Sequence, residues 1–181
     1  MRVGEAGNGR RITHVECIHR PAERVLAIEL FEVLGCRVVD RGGTFFTAFV
    51  EPDESNFSAN VFYASEVTPE QWEFELELQR AAPDPIERFA SQRRDVPQRS
   101  FHFGFRVPDE AGLDAIVKRV QQVGECAGNL GGRVAVDGVF RPGDPGAIAP
   151  NMTQVFVWTD VVACGLLALG QHFEVQWHHD A

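Results

Sequence analysis

No CxxC pair occurs among the four cysteines, Cys17, Cys36, Cys126 and Cys164, which argues against a cysteine-built zinc site. Cys17 falls in a strand-like run and the others border apolar runs, so four buried thiols in a reducing cytoplasm are expected. Basic charge is equally scarce. The net charge is -9 and the longest run of cations is the pair Arg93-Arg94, which excludes nucleic acid or an anionic membrane as the main partner. Long apolar runs are missing too. The longest, "VVACGLLALG" at 161–170, is too short to span a bilayer. The opening "MRVGEAGNGRR" has no apolar segment and reads as a flexible lead-in over 1–10, not a secretory signal. These absences leave a small molecule as the expected partner and the cytoplasm as the expected compartment.

What the chain does have is repetition. At 181 residues it can form one well-buried domain or two small repeats sharing a core. "THVECIHRPAERVLAIELFEVLG" (13–35) parallels "FHFGFRVPDEAGLDAIVKRVQQVG" (101–124). Each opens on a strand whose second residue is a histidine, passes a proline (Pro21 or Pro108) and enters a helix. Val25, Ile28, Leu30, Phe31 and Leu34 stand at helical spacing in the first, and Leu113, Ile116, Val117 and Val120 in the second. Each helix is expected to stop at a glycine, Gly35 or Gly124, in a left-handed cap. Three strands follow in each half: "CRVVDRG", "TFFTAFVEP" and "SANVFYASEV", then "GRVAVDG", "TQVFVWTD" and "HFEVQW". The pattern predicts an α+β fold of two repeated βαβββ modules forming a partial barrel with a ligand cup, since each half exposes a sheet face that the other can complete. The modules are placed at 11–67 and 98–181.

Between them, 68–97 is expected to be a helical insertion. Thr68, Pro69 and Gln71 form a capping box with proline at the first helical position, predicting a helix over about 69–82. That signal outweighs the strand-like alternation of "WEFELEL". A second short helix is expected over "PIERFASQRR". The loop "VFRPGDPGAIAPN" is too rich in proline and glycine for regular structure, and lies where it could cover a site.

Strand parity then sorts the chemistry. In "SFHFGFRV" (100–107) Phe101, Phe103, Phe105 and Val107 take one face, and His102, Gly104 and Arg106 the other. His14 and Glu16 oppose Val15 and Cys17. In the last strand Phe173, Val175 and Trp177 oppose His172, Glu174 and Gln176. Phe101, Phe103, Phe173 and Trp177 are accordingly expected beneath the helices, with His172 and Gln176 toward the cup. Two imidazoles and a carboxylate are a set that holds a divalent cation and leaves positions open for substrate, oxygen or water.

With His14 in "ITHVEC", His102 in "FHFGFRV" and Glu174 in "HFEVQW", residues 11–179 resemble the vicinal oxygen chelate superfamily. That group includes glyoxalases, extradiol dioxygenases, epimerases, thiol-transferring resistance enzymes and bleomycin-binding proteins. The resemblance implies a metal held by His14, His102 and Glu174. Fe(II) comes first, with Mn, Ni and Zn as further choices. A fourth ligand, found at the end of the first half in glyoxalase-type sites, has only Asn60 or Glu66 to fill it. The three-residue set is similar to that of extradiol dioxygenases. The implied function is a metal-dependent enzyme acting on a small substrate chelated through neighbouring oxygens, most concretely a ring-cleaving dioxygenase. His172 would be the base and Arg106 a partner for a substrate carboxylate or enolate. The alternatives are a glyoxalase-like isomerase or lyase, and a metal-free protein that sequesters an aromatic drug or metabolite. The resemblance further implies a homodimer.

Overall fold

Gly35 ends the first repeat helix as its sequence predicts. In the computed structural model, which describes residues 12–179, helix α1 (Arg24–Val33) is followed by Gly35 at φ +89°. The Gly35 N–H donates to Glu32 O at 2.9 Å and the Cys36 N–H to Phe31 O at 2.9 Å. This double closure satisfies carbonyls that the helix end leaves free, and a side chain at position 35 would resist the required φ. The expected lead-in over 1–10 lies outside the described residues.

The first module comprises β1 (His14–His19), α1, β2 (Arg37–Val39), β3 (Phe45–Phe49) and β4 (Val61–Glu66). Helices α2 (Pro69–Ala81) and α3 (Pro83–Asp95) and a 3-10 turn (Pro97–Arg99) follow. The second module runs β5 (His102–Arg106), α4 (Glu110–Glu125), β6 (Val134–Phe140), β7 (Met152–Thr159), β8 (Val162–Ala163) and β9 (Gln171–His178). Two sheets result, in the orders β2-β3-β4-β1-β8 and β5-β9-β7-β6. In each module the first and last long strands pair in parallel, β1 with β4 and β5 with β9. The fold is the expected α+β arrangement of two βαβββ modules, with no closed barrel among the described residues. No helix there is long and apolar enough to cross a membrane.

The apolar faces of both sheets and both repeat helices meet in one core. Phe31 is fully buried and its ring lies 5.9 Å from Phe46, 5.4 Å from Phe62 and 5.8 Å from Phe173. Phe62 in turn meets Phe103 at 6.5 Å, so aromatic rings of the two modules interlock and contribute both area and edge-to-face contacts. Arg119 of α4 donates to Val33 O at 2.9 Å, tying the second helix to the open end of the first.

Several expectations need correction. Val25 is 74% exposed, and Ala27 takes its place on the buried stripe of α1. Gly124 does not stop α4, which continues to Glu125. Its missing side chain instead admits the Val134 carbonyl, which a Cβ would meet at 2.5 Å. The Thr68 side chain caps α2 by accepting from the Gln71 N–H at 3.2 Å, but the Gln71 side chain turns away to Glu75 and Gly165 O, so the box is half made. Phe101 precedes β5 and is 50% exposed under the Arg93 guanidinium, 3.7 Å from the ring centroid, instead of lying beneath a helix. The thiols are not all buried, since Cys126 is exposed and Cys164 partly so. The apolar run at 161–170 crosses over, and its β8 adds a strand to the first module's sheet beside β1.

Candidate functional site

The polar face of the second sheet is assembled by register. Across β5, β9 and β7 run three rows: His102, His172 and Trp158; Gly104, Glu174 and Phe156; Arg106, Gln176 and Gln154. Period-two alternation puts all of these on one face, opposite Phe103, Phe173 and Val157. Glu174 is 4% exposed. Its Oε1 accepts from the Gln154 side-chain amide and, at 2.8 Å, from that of Gln176. Its Oε2 lies 3.0 Å from His102 Nε2. His102 Nδ1 is 2.9 Å from the Ser100 carbonyl. A carbonyl can only accept, so Nδ1 carries the hydrogen and Nε2 faces the carboxylate.

Gly104 borders this meeting. A Cβ there would stand 3.4 Å from Glu174 Oε2 and 3.5 Å from Gln176 Nε2. The carboxylate leans across the strand pair toward His102, and a methyl at position 104 would touch it at ordinary contact distance.

A second cluster lies one row along. His172, expected to be an accessible base in the cup, is fully buried. Its Nε2 lies 3.0 Å from Asp137 Oδ2 and its Nδ1 3.2 Å from Ser100 Oγ. Arg94 of α3 donates to both Asp137 oxygens, with Nη2 at 2.8 Å from Oδ1, and its guanidinium covers the Trp158 ring at 4.0 Å. Burial pushes the Asp137 carboxyl up, but the hydrogen bonds from His172 and Arg94 outweigh it and hold the group below the ordinary carboxylate range. Neighbouring Arg93 is 5% exposed and donates to Leu169 O at 2.7 Å and Gly170 O at 3.1 Å. The insertion is thereby clamped to the segment that leads into β9. Sequence reasoning dismissed the Arg93-Arg94 pair once it had ruled out a basic patch.

Asp137 was not among the sequence candidates. The register of β6 against β7 shifts between Val136 and Gly138, so Asp137 is the extra residue of a bulge. Bulges re-aim side chains. The signal was legible as a glycine inside a strand pattern, "VAVDGVF", although "DG" read more naturally as the end of a strand.

His14 is carried by the other sheet from His102 and Glu174. It is exposed on β1, with Nδ1 3.1 Å from Thr13 Oγ1 and its ring 5.1 Å from Tyr63. Among the described residues no three His, Cys, Asp or Glu side chains are grouped so as to hold a metal ion. The structure brings His102 and Glu174 within 3.0 Å of each other, with His14 on the neighbouring sheet. Glu66 accepts from the Ala22 N–H at the far end of β4, opposite His19, and so cannot accompany His14. Instead His14 lines a cavity of about 320 Å3 together with Asn60, Phe62, Phe103, Gly104 and Arg106. Strand β5, at the edge of its sheet among the described residues, borders it. Arg106 makes no ion pair among the described residues and is exposed.

No family model and no curated protein matches the sequence. Solved structures with a similar course of chain include a glyoxalase/bleomycin resistance protein/dioxygenase from Alicyclobacillus acidocaldarius. It is 14% identical, with 94% of this chain and 92% of that chain covered and a TM-score of 0.46. Oxidase ChaP-H2 is 12% identical over 93% of this chain and 94% of its own, with a TM-score of 0.43. A possible glyoxalase from Bacillus cereus is 16% identical over 92% and 98%, with a TM-score of 0.40.

Proposed function

We propose that the chain is an enzyme of the vicinal oxygen chelate type that acts on a small oxygen-bearing substrate, with His102 and Glu174 holding a divalent cation beside the cavity. The observation that carries this reading is the pairing itself. His102 turns Nε2 toward the carboxylate while its Nδ1–H is held by a backbone carbonyl, the arrangement that orients a metal-binding histidine. Nε2 and a carboxylate oxygen lie 3.0 Å apart, and either a proton or a cation can join such a pair.

The donor set we propose is the pair His102 and Glu174, with His14 left to the substrate. Gln154 and Gln176 hold the Glu174 carboxylate in place from the other side. Bound there, a divalent ion would supply Lewis-acid polarisation of neighbouring substrate oxygens. The rest falls to the chain's own side chains. Phe62 and Phe103 offer apolar walls suited to a ring. Arg106 offers a guanidinium to a substrate carboxylate or enolate. His14 contacts the substrate from the opposite strand. His172, buried and held by Asp137, positions the face instead of meeting substrate.

Ring-cleaving dioxygenation with Fe(II) is the most concrete reaction of this type, and glyoxalase-like isomerisation or lysis is its rival. Elemental analysis of protein purified without a chelating column is the first test, with about one transition metal per chain expected. His102→Ala and Glu174→Ala should each abolish metal retention while the folded signal persists. Oxygen consumption with catechols separates the two reaction classes. Protein that takes up no Fe(II), Mn(II), Ni(II) or Zn(II), yet binds aromatic ligands in the cavity, would make it a sequestration protein.

A further inference from the structure

Cys17 and Cys164 stand with Sγ atoms 3.2 Å apart, and this contact joins the two modules. β1 and β8 pair antiparallel with Ile18 opposite Ala163 and His19 opposite Val162. Continuing that register by one residue sets Cys17 directly opposite Cys164. Directly opposed residues of an antiparallel pair have Cβ atoms about 4.5–5.5 Å apart, close to what a disulfide needs. Closing 3.2 Å to a bond of about 2.05 Å takes a movement of about 1.2 Å.

Access differs between the two sulfurs. Cys17 is fully buried. Cys164 is partly exposed and lines a groove of about 670 Å3 bordered by Ile18, Gln71, Phe74 and Leu166. The hydrogen bond to Cys164, together with burial, pushes the Cys17 thiol well up from its ordinary value. Cys17 therefore keeps its proton and reacts second. The other two cysteines have no such partner: Cys36 is buried, with its thiol pushed up to about 12 by burial, and Cys126 is exposed.

We propose that Cys17 and Cys164 are an oxidisable thiol pair that a small hydroperoxide converts to a disulfide. The Cys164 sulfur attacks the O–O bond, giving a sulfenic acid and releasing water or an alcohol. The Cys17 sulfur then attacks the sulfenic sulfur. The S–S bond forms and the displaced hydroxide leaves with the Cys17 proton as water. Two thiols lose two electrons and the hydroperoxide gains them. The product ties β1 of the first module to the crossover between β7 and β9 of the second, across a sequence separation of 147. Since the Cys164 N–H donates to Gln171 Oε1 at 3.2 Å, the staple borders the strand that carries Glu174. Neither step depends on the metal or on the reaction proposed above.

The test is to expose the reduced full-length chain, freed of reductant, to hydrogen peroxide and digest it without reduction. Expected are a peptide joining Cys17 to Cys164, an intact mass lower by about 2 Da and reversal by dithiothreitol. The midpoint of thermal unfolding should rise by about 10 °C, because the link closes a long loop. Cys126→Ser should leave the cross-link intact and remove any intermolecular disulfide. Sulfinic or sulfonic acid at Cys164 with Cys17 still free to alkylate, or disulfides through Cys126 alone, would overturn the proposal.

Discussion

His102 and Glu174 meet diagonally across a parallel strand pair. The register sets Glu174 opposite Gly104 and His102 opposite His172, yet His102 Nε2 and Glu174 Oε2 are 3.0 Å apart. Gly104 lies beside this diagonal. Gly104→Ala should keep the fold, with a stability change below about 1 kcal/mol, since a Cβ meets its neighbours at ordinary contact distance. It should weaken ligand binding by about threefold, by adding a methyl to the cavity wall that Gly104 lines. Isothermal titration of the variant against the parent checks this, and equal affinities would remove Gly104 from the site.

His14→Ala separates the pair from the triad. Because His14 contacts Thr13 and Tyr63 and lines the cavity, its loss should leave metal content unchanged. Substrate KM should rise, by about 3- to 10-fold for one lost polar contact. Loss of the metal in His14→Ala would restore the three-ligand set.

Asp137→Asn tests the buried second cluster. Removing the charge leaves His172 and Arg94 without their shared carboxylate, at a cost of about 2–3 kcal/mol in urea unfolding. A variant as stable as the parent would show that the cluster is a consequence of packing and not a support for it.

The same carboxylate sets a pH dependence. The Asp137 carboxyl is held below its ordinary range in the folded chain, so the unfolded chain binds its proton first as pH falls. Its contribution is complete about one pH unit above the unfolded value of about 3.9 and is lost as pH drops through the lower folded value. Unfolding midpoints should decline from about pH 5 downward, and less steeply in Asp137→Asn. Parallel profiles for the two proteins would contradict this.

Two positions of α1 should respond in opposite ways. Phe31→Ala removes a fully buried ring shared by both modules and should cost about 3–5 kcal/mol. Val25→Ala, at a position 74% exposed, should stay within about 0.5 kcal/mol. A large loss at Val25 would mean that another surface covers it.

Short-range chemistry accounts for what was legible in the sequence. Alternation along β5 and β9 separated Phe103 and Phe173 from His102 and Glu174, because side chains on a strand alternate whatever lies around them. The left-handed glycine after α1 and the Thr68 cap of α2 are likewise decided within a few residues of chain. The doubled order of strand, helix and three strands carried the fold class. What only the tertiary structure decided are relations between distant segments. Which histidine meets Glu174 depends on the β5–β9 register. The parity that marked His14 and His102 as equivalent says nothing of how two sheets sit against each other, so it could not show that His14 remains with Tyr63. Asp137 reaches His172 through a bulge, and Arg94 reaches Asp137 from an inserted helix. Such contacts are selected by the free energy of packing the whole chain, and no window of neighbouring residues contains it.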